Sequence, residues 1–445
     1  MTLENLIQNI EDSYQIDQNL YGDFNVKRGL RNNDGSGVLV GLTRIGGVTG
    51  YIKEEEEIIP VEGKLRYRGI EIKDIVKAIA EENRNGYEEI AFLLLFGRLP
   101  NKTELGTFNS LLDQKYELPG GFKENMILKA PSHDIMNKLA RSVLALYSYD
   151  SNPDSIDIAN VIRQSVELIA RFPSMIAYGY QAKSHYFDKK SLYLHNPEKG
   201  IGIAENFLRM IRPNKKYTEL EARTLDISLI LHAEHGGGNN SAFTTHVVTS
   251  TDTDTYSAIS AAIGSLKGPK HGGANNKVMG MMDDIKKNIK NWEDEKEVGD
   301  YIVRILKKKA HDKSGLVYGI GHAVYTLSDP RAIILKEYAY ELAKSTGNEK
   351  EFILYDIIER LTPALFNDIK ESNKVLSANV DFYSGFVYGM LCIPPELYTP
   401  IFAMARIAGW CAHRIEEIIS GGRIIRPAYK NLGDKKEYIR MEDRN

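Results

Sequence analysis

Residues able to move protons or grip anions stand in five short segments of the chain's second half, several of them beside glycine clusters. In the first, Leu231-His-Ala-Glu-His-Gly-Gly-Gly-Asn-Asn-Ser241, His232 and His235 close a helical stretch just before a glycine loop. They can share one face, a spacing that suits a metal pair, with His246 and His271 available to complete a set. No cysteine cluster or His-Glu-x-x-His order accompanies them. A structural histidine pair is the competing reading.

In Lys267-Gly-Pro-Lys-His271-Gly-Gly-Ala-Asn275, glycines on both sides leave the imidazole reachable by a ligand. Gly272-Gly273 opens a helix, and a helix N-terminus disfavours imidazolium, so His271 is expected to be neutral and to donate a hydrogen bond. An ordinary turn histidine is the alternative. The third segment, Tyr318-Gly-Ile-Gly321-His322-Ala-Val, leads into Asp329-Pro-Arg331. Pro330 suits the first helical position, so Arg331 falls in a first turn where backbone amides and a guanidinium together can hold a carboxylate. The Gly-x-Gly is no dinucleotide fingerprint, since no third glycine or βαβ unit surrounds it.

Asn379-Val-Asp381-Phe-Tyr-Ser384-Gly385 sets one carboxylate among apolar neighbours, where desolvation would raise its pKa and make it a usable base. A helix N-cap is the competing role for Asp381. Last, Arg406 lies in an apolar helical stretch on a face with Gly409 and His413, and Arg426-Pro427 follows the Gly421-Gly422 turn. A buried arginine needs an anion; one on the rim does not.

The elements that must position these residues are mostly helices. Residues 1 to about 45 are polar, with a turn at Asp34-Gly-Ser-Gly37, and read as an arm. β-prone residues on both sides of Glu62-Gly63 predict a small hairpin over 58–69. Tyr87–Phe96 is too densely apolar for a surface helix and stops at Gly97 and Pro100, while Asn101 and Glu104 open the next helix as a capping box. Helix-sized segments follow at 134–148, 157–171, 219–233, 276–291, 298–309, 331–345, 350–362 and 401–419. Strand-like alternation is scarce, so the expected fold is mainly α, built from many helices.

A chain of 445 residues can bury a large core and is long for one domain. Its net charge of −3 argues against a module built to hold nucleic acid. Cys392 and Cys411 are too few for a disulfide framework, no apolar run is long enough to span a membrane, and the N-terminus resembles no targeting peptide. A cytoplasmic protein is expected.

Taken in order, the five segments resemble the signature blocks of the citrate synthase family. The similarity extends back to Glu62-Gly-Lys-Leu-Arg-Tyr-Arg-Gly69 and Leu93-Leu-Leu-Phe-Gly-Arg-Leu-Pro100, and covers nearly all of the chain beyond about residue 25. It implies a many-helix homodimer with the active site in a cleft between a large and a small domain. The arm would be residues 1–45, the large domain 46–276 and 389–445, and the inserted small domain 277–388. It implies His271, His322 and Asp381 as catalytic residues. His235, His322, Arg331, Arg406 and Arg426 would hold oxaloacetate, Arg426 reaching across from the other subunit. Tyr318, Gly319, Ile320, Gly321 and Lys313 would touch CoA. Acetyl-CoA is then a substrate, and neither a metal nor a cofactor is required.

One departure concerns CoA. Many members carry a basic residue between His-Ala-Val and Asp-Pro-Arg, where this chain has Tyr325-Thr-Leu-Ser328. Arg304, Lys307, Lys308, Lys309 and Lys313 lie upstream and offer substitutes, against the competing reading of a solvated face. Three other activities fit parts of the pattern: a 2-methylcitrate synthase using propionyl-CoA, a metal hydrolase built on His232, His235 and His246, and a non-catalytic CoA binder.

Overall fold

The computed structural model describes residues 14–32, 34–54, 57–322 and 324–444. The chain separates into a short unit ending at Leu42 and a large unit, Thr43–Asn445. In the short unit a helical turn spans Asn19–Asp23. Its polar loop closes where Asn32 N donates to Ser36 O and Ser36 N to Asp34 Oδ1, each at 2.8 Å.

The large unit opens with an antiparallel sheet of β1 (Gly46–Glu54), β2 (Glu57–Tyr67) and β3 (Ile70–Glu71), in that order. This corrects the hairpin expected around Glu62-Gly63. That dipeptide lies inside β2, where the β1–β2 ladder shifts register between the Thr49–Lys64 and Tyr51–Pro60 pairs, and β2 turns into β3 at Arg68-Gly69. Gly63 serves close approach instead of a turn: a Cβ there would lie 2.1 Å from Ser328 O, and one on Gly50 would lie 2.3 Å from Val324 O. Gly63 N donates to Ser328 Oγ at 3.1 Å, and Thr326 Oγ1 donates to Gly50 O at 2.9 Å. The sheet thereby grips the segment between His322 and Arg331.

The helices that follow are α1 (Ile72–Glu81), α2 (Tyr87–Phe96), α3 (Lys102–Lys115), α4 (Ile135–Leu146), α5 (Ile158–Tyr186), α6 (Ile203–Ile211), α7 (Glu219–His232) and α8 (Asn240–Thr249). Then come α9 (Thr255–Lys267), α10 (Ala274–Asn288), α11 (Glu295–Leu306), α12 (Pro330–Thr346), α13 (Glu349–Lys370), α14 (Val380–Met390) and α15 (Tyr398–Ile419). The mainly α fold is as expected. Gly97 ends α2 in the left-handed conformation at φ 77°, and Asn101 with Glu104 forms the capping box of α3.

Two helices run further than local pattern indicates. Helix α5 continues through Pro173 and α13 through Pro363, each already held on both sides of the break by packing. Sequence periodicity missed α8 and α9, whose many Ser, Thr and Gly residues are weak helix formers; neighbouring helices stabilise them instead. Helix α15 is the hub. It packs against α2, α5, α7, α8 and α9 and is buried nearly throughout, including Arg406, His413 and Arg414. Beyond α10, α11 packs on α13, α14 packs on both α10 and α12, and α12 reaches back to α7. That last contact brings the segments around Arg331 and Asp381 beside the end of α7.

Candidate active site

At the C-terminal end of α7 the two histidines take different neighbours. His232 is buried, with Nδ1 2.8 Å from Ser228 O and its ring 4.8 Å from Phe402, and burial lowers its pKa to about 3. It is a structural group. His235 instead lies 5.4 Å from the His322 ring and 5.6 Å from Tyr325, and its Nε2 is buried without a hydrogen-bond partner. Desolvation, aided by Arg331, holds it well below the ordinary histidine range. His246 pairs elsewhere, with His413 at 3.1 Å, so the metal set imagined from His232, His235 and His246 is not assembled.

Arg406 is 1% exposed. Its Nε donates to the His232 carbonyl at 2.6 Å, while both terminal nitrogens are buried with no partner. Leaving two charged donors unpaired is costly unless an anion completes them.

Arg331, also buried, stands in the first turn of α12 behind Pro330, with Asp329 as N-cap. Its Nε and one terminal nitrogen form a fork onto Asp329 at 3.0 and 2.8 Å. The guanidinium also lies 5.5 Å from the Tyr325 ring centre, and the Tyr325 hydroxyl is buried without a partner. His322 stacks on that ring at 4.9 Å. Its Nδ1 accepts from the backbone nitrogens of Val324 and Tyr325, each at 3.1 Å. A neutral His322 therefore carries its proton on Nε2.

Asp381 sits in the first turn of α14, but Asn379 takes the N-cap, accepting from Asp381 N at 3.0 Å. The carboxylate is thus spared the capping role. Although Asp381 retains some exposure, desolvation dominates and pushes its pKa up to about 6 against the opposing pull of Arg331 and Arg406. His271 lies before the N-cap of α10, its Nε2 3.1 Å from Ser241 Oγ. Burial first, then Arg406, lowers it to about 4, so the ring is neutral at pH 7. Sequence reading missed Ser241, which also accepts from Trp410 Nε1 at 3.1 Å, and the orphaned hydroxyl of Tyr325. No local pattern marks either: His271 and Trp410 reach Ser241 from far along the chain, and burial of the Tyr325 hydroxyl is set by tertiary packing.

Neutral histidine donors, one carboxylate of raised pKa and two buried guanidiniums can enolise a carbonyl compound beside a bound anion. The family model for citrate synthase, C-terminal domain, matches residues 35–428. The chain belongs to the citrate synthase family. It is accordingly an enzyme of the acyltransferase class. Among its relatives is citrate synthase 2 of Bacillus subtilis, 36% identical over 91% of this chain and 100% of that protein. A 2-methylcitrate synthase of Shewanella oneidensis is 33% identical over 83% of this chain and 88% of that protein. The Thermoplasma acidophilum citrate synthase, solved as a ternary complex with carboxymethyl coenzyme A and oxaloacetate, superposes with TM-score 0.76 at 26% identity, covering 94% of this chain and 99% of that one.

Other residues singled out by this family's pattern stand apart from the cluster. Arg426 is exposed on the irregular segment after α15. Gly319 and Gly321 take φ +84° and +98°, and a Cβ on Gly319 would lie 2.8 Å from the Phe382 ring. Gly321 N donates to Ser377 O at 2.7 Å, Asn379 N to Gly319 O at 2.9 Å, and Ile320 bridges Ala378. The loop before His322 is thus laced to the start of α14. Tyr318 donates to Asp312 at 2.5 Å with Lys277 5.3 Å from its ring centre, and Lys313 is exposed.

Proposed function

We propose that this enzyme condenses acetyl-CoA with oxaloacetate, converting the acyl group into an alkyl substituent, and hydrolyses the resulting thioester to citrate and CoA. The observation that carries this reading is Arg406, whose buried, unpartnered terminal nitrogens face the same neighbourhood as Arg331, Asp381 and His271. Oxaloacetate has two carboxylates, and planar guanidinium forks suit them. Arg331, Arg406, His235 and His322 would hold it, with Arg426 supplied by the other subunit of a two-fold homodimer.

A thioester α-proton is far less acidic than an aspartic acid, by very roughly 15 pKa units or about 20 kcal/mol. Raising Asp381 to about 6 recovers only a little of that. Stabilisation of the enolate oxygen must supply most of the rest. Asp381 would take the α-proton while neutral His271 donates to the developing enolate oxygen. With the Ser241 hydroxyl hydrogen turned to Nε2 of His271 instead of to Asn239 Oδ1, 2.9 Å away, the ring proton stands on Nδ1 for that task. The enolate carbon then attacks the ketone carbon of oxaloacetate, polarised by the Nε2 proton of His322, and the alkoxide takes that proton from His322, the α-proton held on Asp381 restoring the balance. Water attacks the thioester and the CoA thiol departs. These steps balance with substrates, water and side chains alone.

Residues 277–388 are the proposed small domain, closing on 46–276 and 389–445, and the packing of α10 to α14 on one another supports this division. Tyr318, Gly319, Ile320, Gly321 and Lys313 are the proposed CoA contacts, with Lys307, Lys308 and Lys309 nearby. The free thiols of Cys392 and Cys411 suit a reducing cytoplasm. Among the described residues no helix is long and apolar enough to cross a membrane.

The test is release of free CoA from acetyl-CoA and from propionyl-CoA, each with and without oxaloacetate. Strict dependence on oxaloacetate with acetyl-CoA preferred is expected. Preference for propionyl-CoA would make the activity that of a 2-methylcitrate synthase, since one methylene discriminates by only about 1–3 kcal/mol. Release without oxaloacetate would overturn the proposal.

A further inference from the structure

Behind the His235 turn runs a line of four side chains that the reaction does not use. Glu417 Oε2 lies 2.7 Å from His246 Nδ1, His246 Nε2 lies 3.1 Å from His413 Nδ1, and His413 Nε2 lies 3.0 Å from Glu234 Oε1. Glu234 and His413 are completely buried, while His246 and Glu417 are partly exposed. The Glu234 carboxylate also accepts from Gly236 N, so it brackets His235 from both sides in sequence. Helix α15 approaches this turn closely enough that a Cβ on Gly409 would lie 2.4 Å from Ala233 O and 2.5 Å from Glu234 Oε2.

We propose that Glu234 and His413, backed by His246 and Glu417, are positioning residues for oxaloacetate: they fix the His235 turn and keep the Glu234 charge off Arg406. The inference rests on the reading of His235 and Arg406 as oxaloacetate-binding residues. The outer nitrogens of the two rings each face a carboxylate and carry hydrogen, so the inner pair can bond at 3.1 Å only with one further proton between them. The histidine pair thus holds one positive charge next to Glu234. His246 is held below the ordinary range by burial and then by the charge of His413.

The other charged groups around the line are Glu416, 3.9 Å from His413 Nδ1, with Arg68 and Arg406. The Tyr67 hydroxyl donates to the Glu234 carbonyl at 3.2 Å. Glu234 therefore lies between the charged histidine pair and Arg406, and although burial would raise its pKa, His413 and then Arg406 hold it below the usual carboxylate range. Without His413, Glu234 is free to pair with the terminal nitrogens of Arg406 and to compete with the substrate carboxylate for them.

The experiment uses the full chain with His413→Ala, His413→Gln, His246→Ala and Arg406→Ala, measuring both KM values, kcat and the melting temperature. His413→Ala is expected to raise the oxaloacetate KM at least tenfold while kcat stays within about threefold. His413→Gln, whose amide nitrogen reaches Glu234, should recover most of that loss. His246→Ala, at the more exposed end, should raise the same KM by about three- to fivefold and decides the matter with His413→Gln if His413→Ala does not fold. An unchanged oxaloacetate KM in the folded variants, an equal rise for acetyl-CoA, or no recovery by glutamine overturns the inference. One equivalent of zinc per chain, absent from His246→Ala, would put a metal ion in place of the proton and also overturn it. If Arg406→Ala leaves the oxaloacetate KM unchanged, the underlying reading of the site fails instead.

Discussion

Asp329 accepts from Arg331 Nε at 3.0 Å and from the backbone nitrogen of Val380 at 3.2 Å, so one buried carboxylate ties the arginine of α12 to the turn that carries Asp381. Burial is offset in this pair by the ionic fork, and Asp329 is held below the usual carboxylate range mainly by Arg331 against desolvation. Asp329→Ala would leave the Arg331 charge buried and unpaired. We expect a loss of about 3–5 kcal/mol in urea unfolding. A loss below about 1 kcal/mol would mean that Arg331 finds solvent or another partner.

Asp381→Asn should keep the fold and oxaloacetate binding while turnover falls by about 10²–10⁴-fold. Stability should move the other way. The folded pKa of about 6 exceeds the unfolded value near 3.9, so the contribution of this group is complete below about pH 4 and is lost as pH rises through 6. At pH 7 the variant should therefore be as stable as wild type or more so, by roughly 1–3 kcal/mol. Activity within threefold of wild type would remove Asp381 from the mechanism.

The same carboxylate sets an acid limb. With the base form required, kcat/KM for acetyl-CoA should fall as pH drops through about 6, while His271, lowered to about 4, stays neutral across that range. A profile flat down to pH 5 would assign the proton transfer to another group.

Gly63→Ala should disturb the site from a distance. Its Cβ would lie 2.1 Å from Ser328 O, pushing the sheet off the segment that joins His322 to Arg331. The expected result is a lower melting temperature, by several degrees, and a raised oxaloacetate KM. Wild-type values for both would show that the sheet does not position these residues.

Arg426 tests the dimer. Asp381→Asn and Arg426→Ala homodimers should each be nearly inactive. In mixed dimers one site receives both normal residues, and random mixing makes about half the dimers mixed, so about a quarter of wild-type site activity should return on co-refolding. No recovery, with mixed dimers present by mass spectrometry, would confine Arg426 to its own subunit or leave it without a role.

What the sequence determined by itself is local. The stop at Gly97 and the capping box at Asn101 and Glu104 are written in adjacent residues, and both stand where they were expected. Order and spacing likewise marked the five segments, because backbone rules and motif chemistry act over a few positions. The tertiary structure decided which of those residues meet. Asn379 takes the cap that Asp381 would otherwise fill, Gly63 of β2 serves close contact with Ser328 instead of a turn, and His246 joins His413 instead of His232. Arg406 could be read as buried or as a rim residue from its segment alone. Only the packing of α15 against the end of α7 removes its terminal nitrogens from water, and burial of that kind depends on side chains far apart in the chain, whose meeting no local pattern encodes.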